Sequence, residues 1–205
     1  MASQNKLCTM KINWIFGATA LACYGVHAGF HLLHGRPYDL LWACHIGSAI
    51  VGAGWLATSA VTNGIGTLLL CLGTPLWLMA LADGSEVFNP TSCFTHVGGL
   101  TIGLYGIHRL GLPAGVWWKT VATLVGLISL CRLVTPASAN VNVAFSIPGG
   151  WETHFASRGR YLLTMIGFAA AFFFVAELAL RRLLIPAKRR RSEPTGTGNS
   201  LEKRP

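Results

Sequence analysis

The 205-residue chain is 52% hydrophobic and only 11% charged, with a mean hydropathy of +0.51. Soluble domains carry about 25% charged residues, so the composition excludes an ordinary soluble domain and points to an all-α, polytopic membrane bundle. Much of the net charge of +9 sits in Lys188, Arg189, Arg190 and Arg191, after the last apolar segment; this is the pattern of a tail beside anionic lipid, and it argues against nucleic acid as a partner.

Residues 1–11 are polar, with Lys6 and Lys11, and read as a cytoplasmic N-terminus. Residues 12–33 form an apolar run of 22 residues, against the roughly 20 needed to span a bilayer. The run passes Val26-His27-Ala28, a tripeptide like a signal-peptidase site, without a polar break, so it reads as a span and not as a cleaved leader. Further spans are predicted over 40–61, 65–82, 94–112, 114–135 and 161–180, giving about six transmembrane helices within 12–185. Thr62-Asn63-Gly64 and Pro113 supply short turns, residues 136–160 a long polar connection, and 186–205 a basic, disordered tail. Cys23, Cys44, Cys71, Cys93 and Cys131 lie in or beside apolar stretches, where a thiol behaves as a small hydrophobe, so no disulfide is expected.

An even number of spans puts both termini on one side. Lys6, Lys11, Arg109, Lys119 and the tail share that side, while Asp39, Asp83, Glu86 and Glu152 share the other. The positive-inside rule makes the first side cytoplasmic and the 136–160 connection extracytoplasmic. Arg132, Arg158 and Arg160 fall on the side that the rule disfavours.

Chemistry concentrates at the extracytoplasmic end. Cys44 lies roughly 7 Å inside the second span and His96 roughly 6 Å inside the fourth, at 1.5 Å per residue. Each heads a row of small residues: Gly47, Val51 and Gly54 after Cys44, and Gly99, Gly103 and Gly106 after His96. Such rows let helix backbones approach closely, turning both side chains toward protein. A thiol and an imidazole can act as nucleophile and base on an acyl carbonyl, with His45, Asp83, Asn140 and Asn142 as candidate supporting groups at the same end. The alternative lies in span one, where His27, His31 and His34 stand at i, i+4 and i+7. Two imidazoles at i and i+4 suit one zinc ion, and a haem needs an axial histidine. Glu177, deep in the last span, has Arg181 one turn on and reads as a structural pair. A non-catalytic membrane scaffold is the third possibility.

Three landmarks together resemble the YwaF-like family of bacterial integral membrane proteins, whose eukaryotic relatives include a transmembrane phospholipid acyltransferase. They are Leu41-Trp42-Ala43-Cys44-His45, the Asn89-Pro90-Thr91-Ser92 approach to His96, and Asn140-Val141-Asn142, within roughly residues 38–148. The resemblance implies Cys44 as nucleophile, His96 as base, no cofactor, membrane lipids as substrates, and residence in the bacterial inner membrane. Val143 and Ala144 depart from the aromatic continuation seen in many members, and the histidine row of span one has no counterpart in the family pattern. Acyl chain, headgroup and protein partners are not legible.

Overall fold

The computed structural model describes residues 2–185, with side chains from residue 10 onward. The described chain is all helix and turn; the basic tail expected over 186–205 lies outside it. Helix α1 (Ala2–Leu33) already includes the polar residues before position 12. It ends where Gly35 takes φ +68° and the Arg36 N–H donates back to the His31 carbonyl at 2.9 Å, a left-handed glycine stop. A tight turn, Pro37–Leu41, leads into α2 (Ala43–Leu56), followed by α3 (Ala60–Ala82). Then come α4 (Pro90–Cys93), a wide π turn (Phe94–Gly98) and α5 (Gly99–Leu110), which run on as one interrupted rod. The last helices are α6 (Val116–Val134) and α7 (Arg158–Leu184).

Among the described residues, four segments are long and apolar enough to cross a membrane: Met10–Leu33, Ala60–Ala82, Val116–Val134 and Arg158–Leu184. Their outward faces carry exposed Ile15, Leu76, Leu133, Leu163 and Phe168, the dress of a helix facing hydrocarbon. The expected second span over 40–61 is instead a helix of 14 residues. The turn that follows it sits at 57–59, not at Thr62-Asn63-Gly64, for a local reason. Thr58 adopts φ +52°, and the Ser59 hydroxyl accepts the Thr62 N–H at 3.2 Å as an N-cap. Asn63 and Gly64 then lie inside α3 and are buried. Asn63 donates from Nδ2 to the Gly103 carbonyl at 3.0 Å, so its amide bridges two helices and makes no turn.

Glycines set the spacing of the central helices. A Cβ on Gly66 would stand 2.5 Å from the Gly47 carbonyl oxygen, and one on Gly103 would stand 2.5 Å from Thr67 Oγ1. Around these contacts lie two apolar clusters. Leu68, Leu69, Ile107, Leu112, Val116 and Phe173 join α3 to α5, α6 and α7. Ala20, Val51, Trp55, Leu70 and Ile102 join α1, α2, α3 and α5. Glu177 reaches from α7 to the start of α6, where its carboxylate accepts the Gly115 N–H at 2.9 Å and the Trp117 N–H at 2.7 Å. The carboxylate thereby caps a helix N-terminus.

Candidate metal centre

Tracing the helices in order places the ends of α1, α3 and α6 together with the starts of α2, α4 and α7. At that end the chain groups four of its seven histidines, His27 and His31 from α1, His45 from α2 and His96 from the π turn. Helical spacing puts His27 and His31 on one face, 1% and 5% exposed. His27 Nε2 lies 3.0 Å from His45 Nε2 and 3.1 Å from His31 Nε2. All three nitrogens fall within 4.8 Å of one another.

The other ring nitrogens face Thr91 and Asp39, and hydrogen bonds there fix the tautomers of His27 and His45. His45 Nδ1 is 2.7 Å from the Asp39 backbone oxygen, which can only accept, so the proton is on Nδ1. His31 Nδ1 faces the Asp39 carboxylate at 3.3 Å, a charge contact without hydrogen-bond alignment, and Arg36 Nε holds the same oxygen at 2.5 Å. His27 Nδ1 lies 2.8 Å from Thr91 Oγ1. The Thr91 hydroxyl donates onward to Asn89 Oδ1 at 3.0 Å, and that oxygen also accepts the Thr91 N–H at 3.0 Å. Thr91 Oγ1 therefore accepts from His27, and the proton is again on Nδ1. His27 and His45 each therefore present a lone pair at Nε2, and these two lone pairs face each other across 3.0 Å.

Neutral His27 and His45 rings do not hold each other by a hydrogen bond in these tautomers, because no proton lies between their Nε2 atoms. A cation among them removes the conflict. A tetrahedral zinc ion with bonds of about 2.0–2.1 Å spaces its nitrogens roughly 3.3–3.4 Å apart, close to the two short edges here. Backbone carbonyl, carboxylate and hydroxyl acceptors behind Nδ1 are the outer partners that metal-binding histidines require. A haem does not fit between His27 and His45 as its two axial ligands, since 3.0 Å leaves no room for its ring.

Cys44 and His96 adjoin this centre. Cys44 Sγ and the ligand nitrogens of His45 and His96 lie within 4.8 Å of one another. Gly73 makes room for the thiol's helix: a Cβ there would be 2.6 Å from Cys44 Cβ. The His96 ring lies flat on Trp77, with centroids 4.6 Å apart and an interplanar angle of 2°, and it meets His45 edge-on at 5.8 Å. The π turn aims it there, one wide turn re-orienting a side chain within an otherwise α-helical rod. Among the described residues, His96 Nδ1, Trp77 Nε1, Thr95 Oγ1 and Ser48 Oγ are buried without a hydrogen-bond partner.

The remaining candidates take other places. His34 is exposed, stacks on Phe30 at 4.0 Å and bonds the Phe30 carbonyl oxygen through Nδ1 at 2.8 Å, away from the other imidazoles. Asp83 is exposed, and its carboxyl is held below the usual carboxylate range by hydrogen bonds from Ser85. Asn140 shapes its own loop, accepting the Phe145 and Ser146 N–H groups at 2.9 Å each. Asn142 reaches the start of α2: Oδ1 accepts the Ala43 N–H at 2.9 Å, and Nδ2 donates to the Leu41 carbonyl at 2.7 Å and to Cys131 Sγ at 3.3 Å. It therefore fixes the backbone just before Cys44 and His45. Asp39, Asn89, Thr91 and Trp77 also belong to the site, and sequence reading gave none of them a role in it. The N-cap pattern Asn-Pro-Thr, in which Thr91 holds His27 and Asn89 holds Thr91, is the signal that could have assigned two of them.

Comparison of the chain with protein-family models, with curated proteins and with solved structures finds no match in any of the three.

Proposed function

We propose that this is a six-span membrane protein that holds a zinc-class ion on the Nε2 atoms of His27, His31 and His45 near the extracytoplasmic end of its bundle. The convergence of the three ring nitrogens, with the lone pairs of His27 and His45 facing each other, carries the reading. The α4–π–α5 rod and the shorter α2 would complete the six passes, with both termini cytoplasmic by the distribution of basic residues. Three protein ligands leave a fourth position, the arrangement of catalytic rather than structural zinc. When bound, the ion would supply a Lewis acid and a water of lowered pKa. The chain's own part is to keep the three rings aligned through Asp39 and Thr91 and to set His96 and Cys44 beside the centre. We assign the site to hydrolysis or transfer of acyl groups on membrane lipids, reached from the outer leaflet.

The test is metal content of protein purified in neutral detergent without a histidine tag. About one zinc per chain, lost in His31→Ala and kept in His34→Ala, is expected. Absence of metal from a folded, catalytically active sample would end this reading.

A second reading keeps Cys44 as an acyl-accepting nucleophile with His96 as base, without metal. It is favoured by the nearness of the thiol to the His96 nitrogen and by the resemblance to the YwaF-like proteins. An acyl adduct removed by hydroxylamine and absent from Cys44→Ala would support it.

A further inference from the structure

Arg132 and Arg158 are not used by the histidine centre. Arg132 lies in the last turn of α6 and Arg158 is the first residue of α7, at the same end of the bundle as the centre. Both guanidinium groups converge on one acceptor, the Ala144 carbonyl oxygen: Arg132 through Nη1 at 3.1 Å and Arg158 through Nη2. Arg132 also lies over the Phe145 ring, 5.7 Å from its centroid. Among the described residues neither arginine makes an ion pair, and Arg158 Nε is buried without a hydrogen-bond partner. Glu152 is the one acid of the 136–160 connection, and it does not reach them.

Two like charges drawn to a single neutral oxygen repel each other, and a membrane protein does not gain by placing them on its disfavoured side. An anion between the two forks resolves both problems. Guanidinium groups bind phosphate through paired, charge-assisted hydrogen bonds, and the start of α7, with no acid in its first turn, adds favourable polarity. The depth is that of a headgroup, since both arginines flank the ends of helices suited to span the bilayer.

We infer that Arg132 and Arg158 form a binding site for a phosphate group, that of a lipid headgroup or of free phosphate, held between the ends of α6 and α7. The site is independent of the metal reading, because it uses none of the same side chains. It accounts for the arginines on the wrong side of the charge rule as counter-charges to a bound anion.

The experiment is native mass spectrometry of the full chain in neutral detergent, titrated with phosphatidylglycerol, with diacylglycerol of the same chains, and with inorganic phosphate at matched ionic strength. Phosphatidylglycerol should bind roughly tenfold more tightly than diacylglycerol, and Arg132→Gln/Arg158→Gln should abolish the difference. If inorganic phosphate competes with the same arginine dependence, free phosphate is a ligand; if it does not, the headgroup is. Should the double variant fail to fold, Arg132→Gln alone reads the same preference, because Arg132 is exposed and its loss leaves no buried gap. Equal binding of the two lipids by the wild-type chain, or a preference untouched by the substitutions, overturns the inference.

Discussion

Thr91→Val removes one hydroxyl from the histidine centre and almost no volume, which makes it the sharpest probe of the tautomer argument. In the wild-type chain that hydroxyl accepts from His27 Nδ1 at 2.8 Å while donating to Asn89 Oδ1 at 3.0 Å. Valine leaves the Nδ1–H of a ring 1% exposed without an acceptor. A buried donor without a partner costs about 1–3 kcal/mol. The ring escapes that cost by moving its proton to Nε2, where it finds the lone pair of His45. The metal-free protein is then relieved and one ligand is lost, so the substitution should appear in metal affinity more than in stability. Loss of an outer hydrogen-bond partner weakens metal binding by about 10–100-fold, or about 1.4–2.7 kcal/mol. Competition with a chromophoric chelator in detergent measures it, and Thr91→Ser, which keeps the hydroxyl, is the control. If Thr91→Val binds zinc as tightly as the wild-type chain, the hydrogen bond does not set the His27 tautomer and the convergence of lone pairs loses its support.

Asn142→Ala should lower stability by about 1–3 kcal/mol, because the Ala43 N–H and Leu41 carbonyl lose a buried partner; thermal unfolding in detergent reads this, together with weaker metal binding as α2 loosens. Glu177→Ala should cost a similar amount, about 1–3 kcal/mol, without affecting metal content, since it strips two backbone donors at the far end of the bundle. Gly66→Ala should destabilise by about 1–3 kcal/mol or prevent folding, because the added methyl meets the backbone of α2. Gly25→Ala and Gly29→Ala, which meet nothing within 4 Å, should fold normally. Metal should also leave as pH falls, because protons compete for the same Nε2 lone pairs; zinc retention after dialysis at descending pH is the measurement.

Composition and the long apolar runs made the helical class legible, and the small-residue rows correctly pointed Cys44 and His96 toward protein. The boundary between α2 and α3 was not legible. Thr-Asn-Gly reads as a turn wherever local chemistry decides, but here Gly54 and Gly106 leave space that Asn63 fills from within a helix, its amide bonded to the Gly103 carbonyl. The His27–His31 pair was visible through its spacing, and His34 followed it in sequence without following it in space, since α1 ends just beyond it. That His45 joins the α1 pair depends on the turn at Pro37–Leu41, whose Asp39 holds both His31 and His45. No short-range pattern encodes that contact.

The wide turn at Phe94–Gly98 acts as a phase shifter. Each residue advances a regular α-helix by about 100°, so positions 91 and 99 of an unbroken rod would point about 80° apart. Thr91 must meet His27 on α1, while Gly99 must admit Ser48 of α2, and both face the bundle interior. The slower winding of the π turn takes up that difference. The ligand-orienting half of the rod and the close-packed half are thereby indexed separately, like two gears keyed to one shaft. Deleting a single residue between them should leave both halves helical while rotating one out of mesh with its partners.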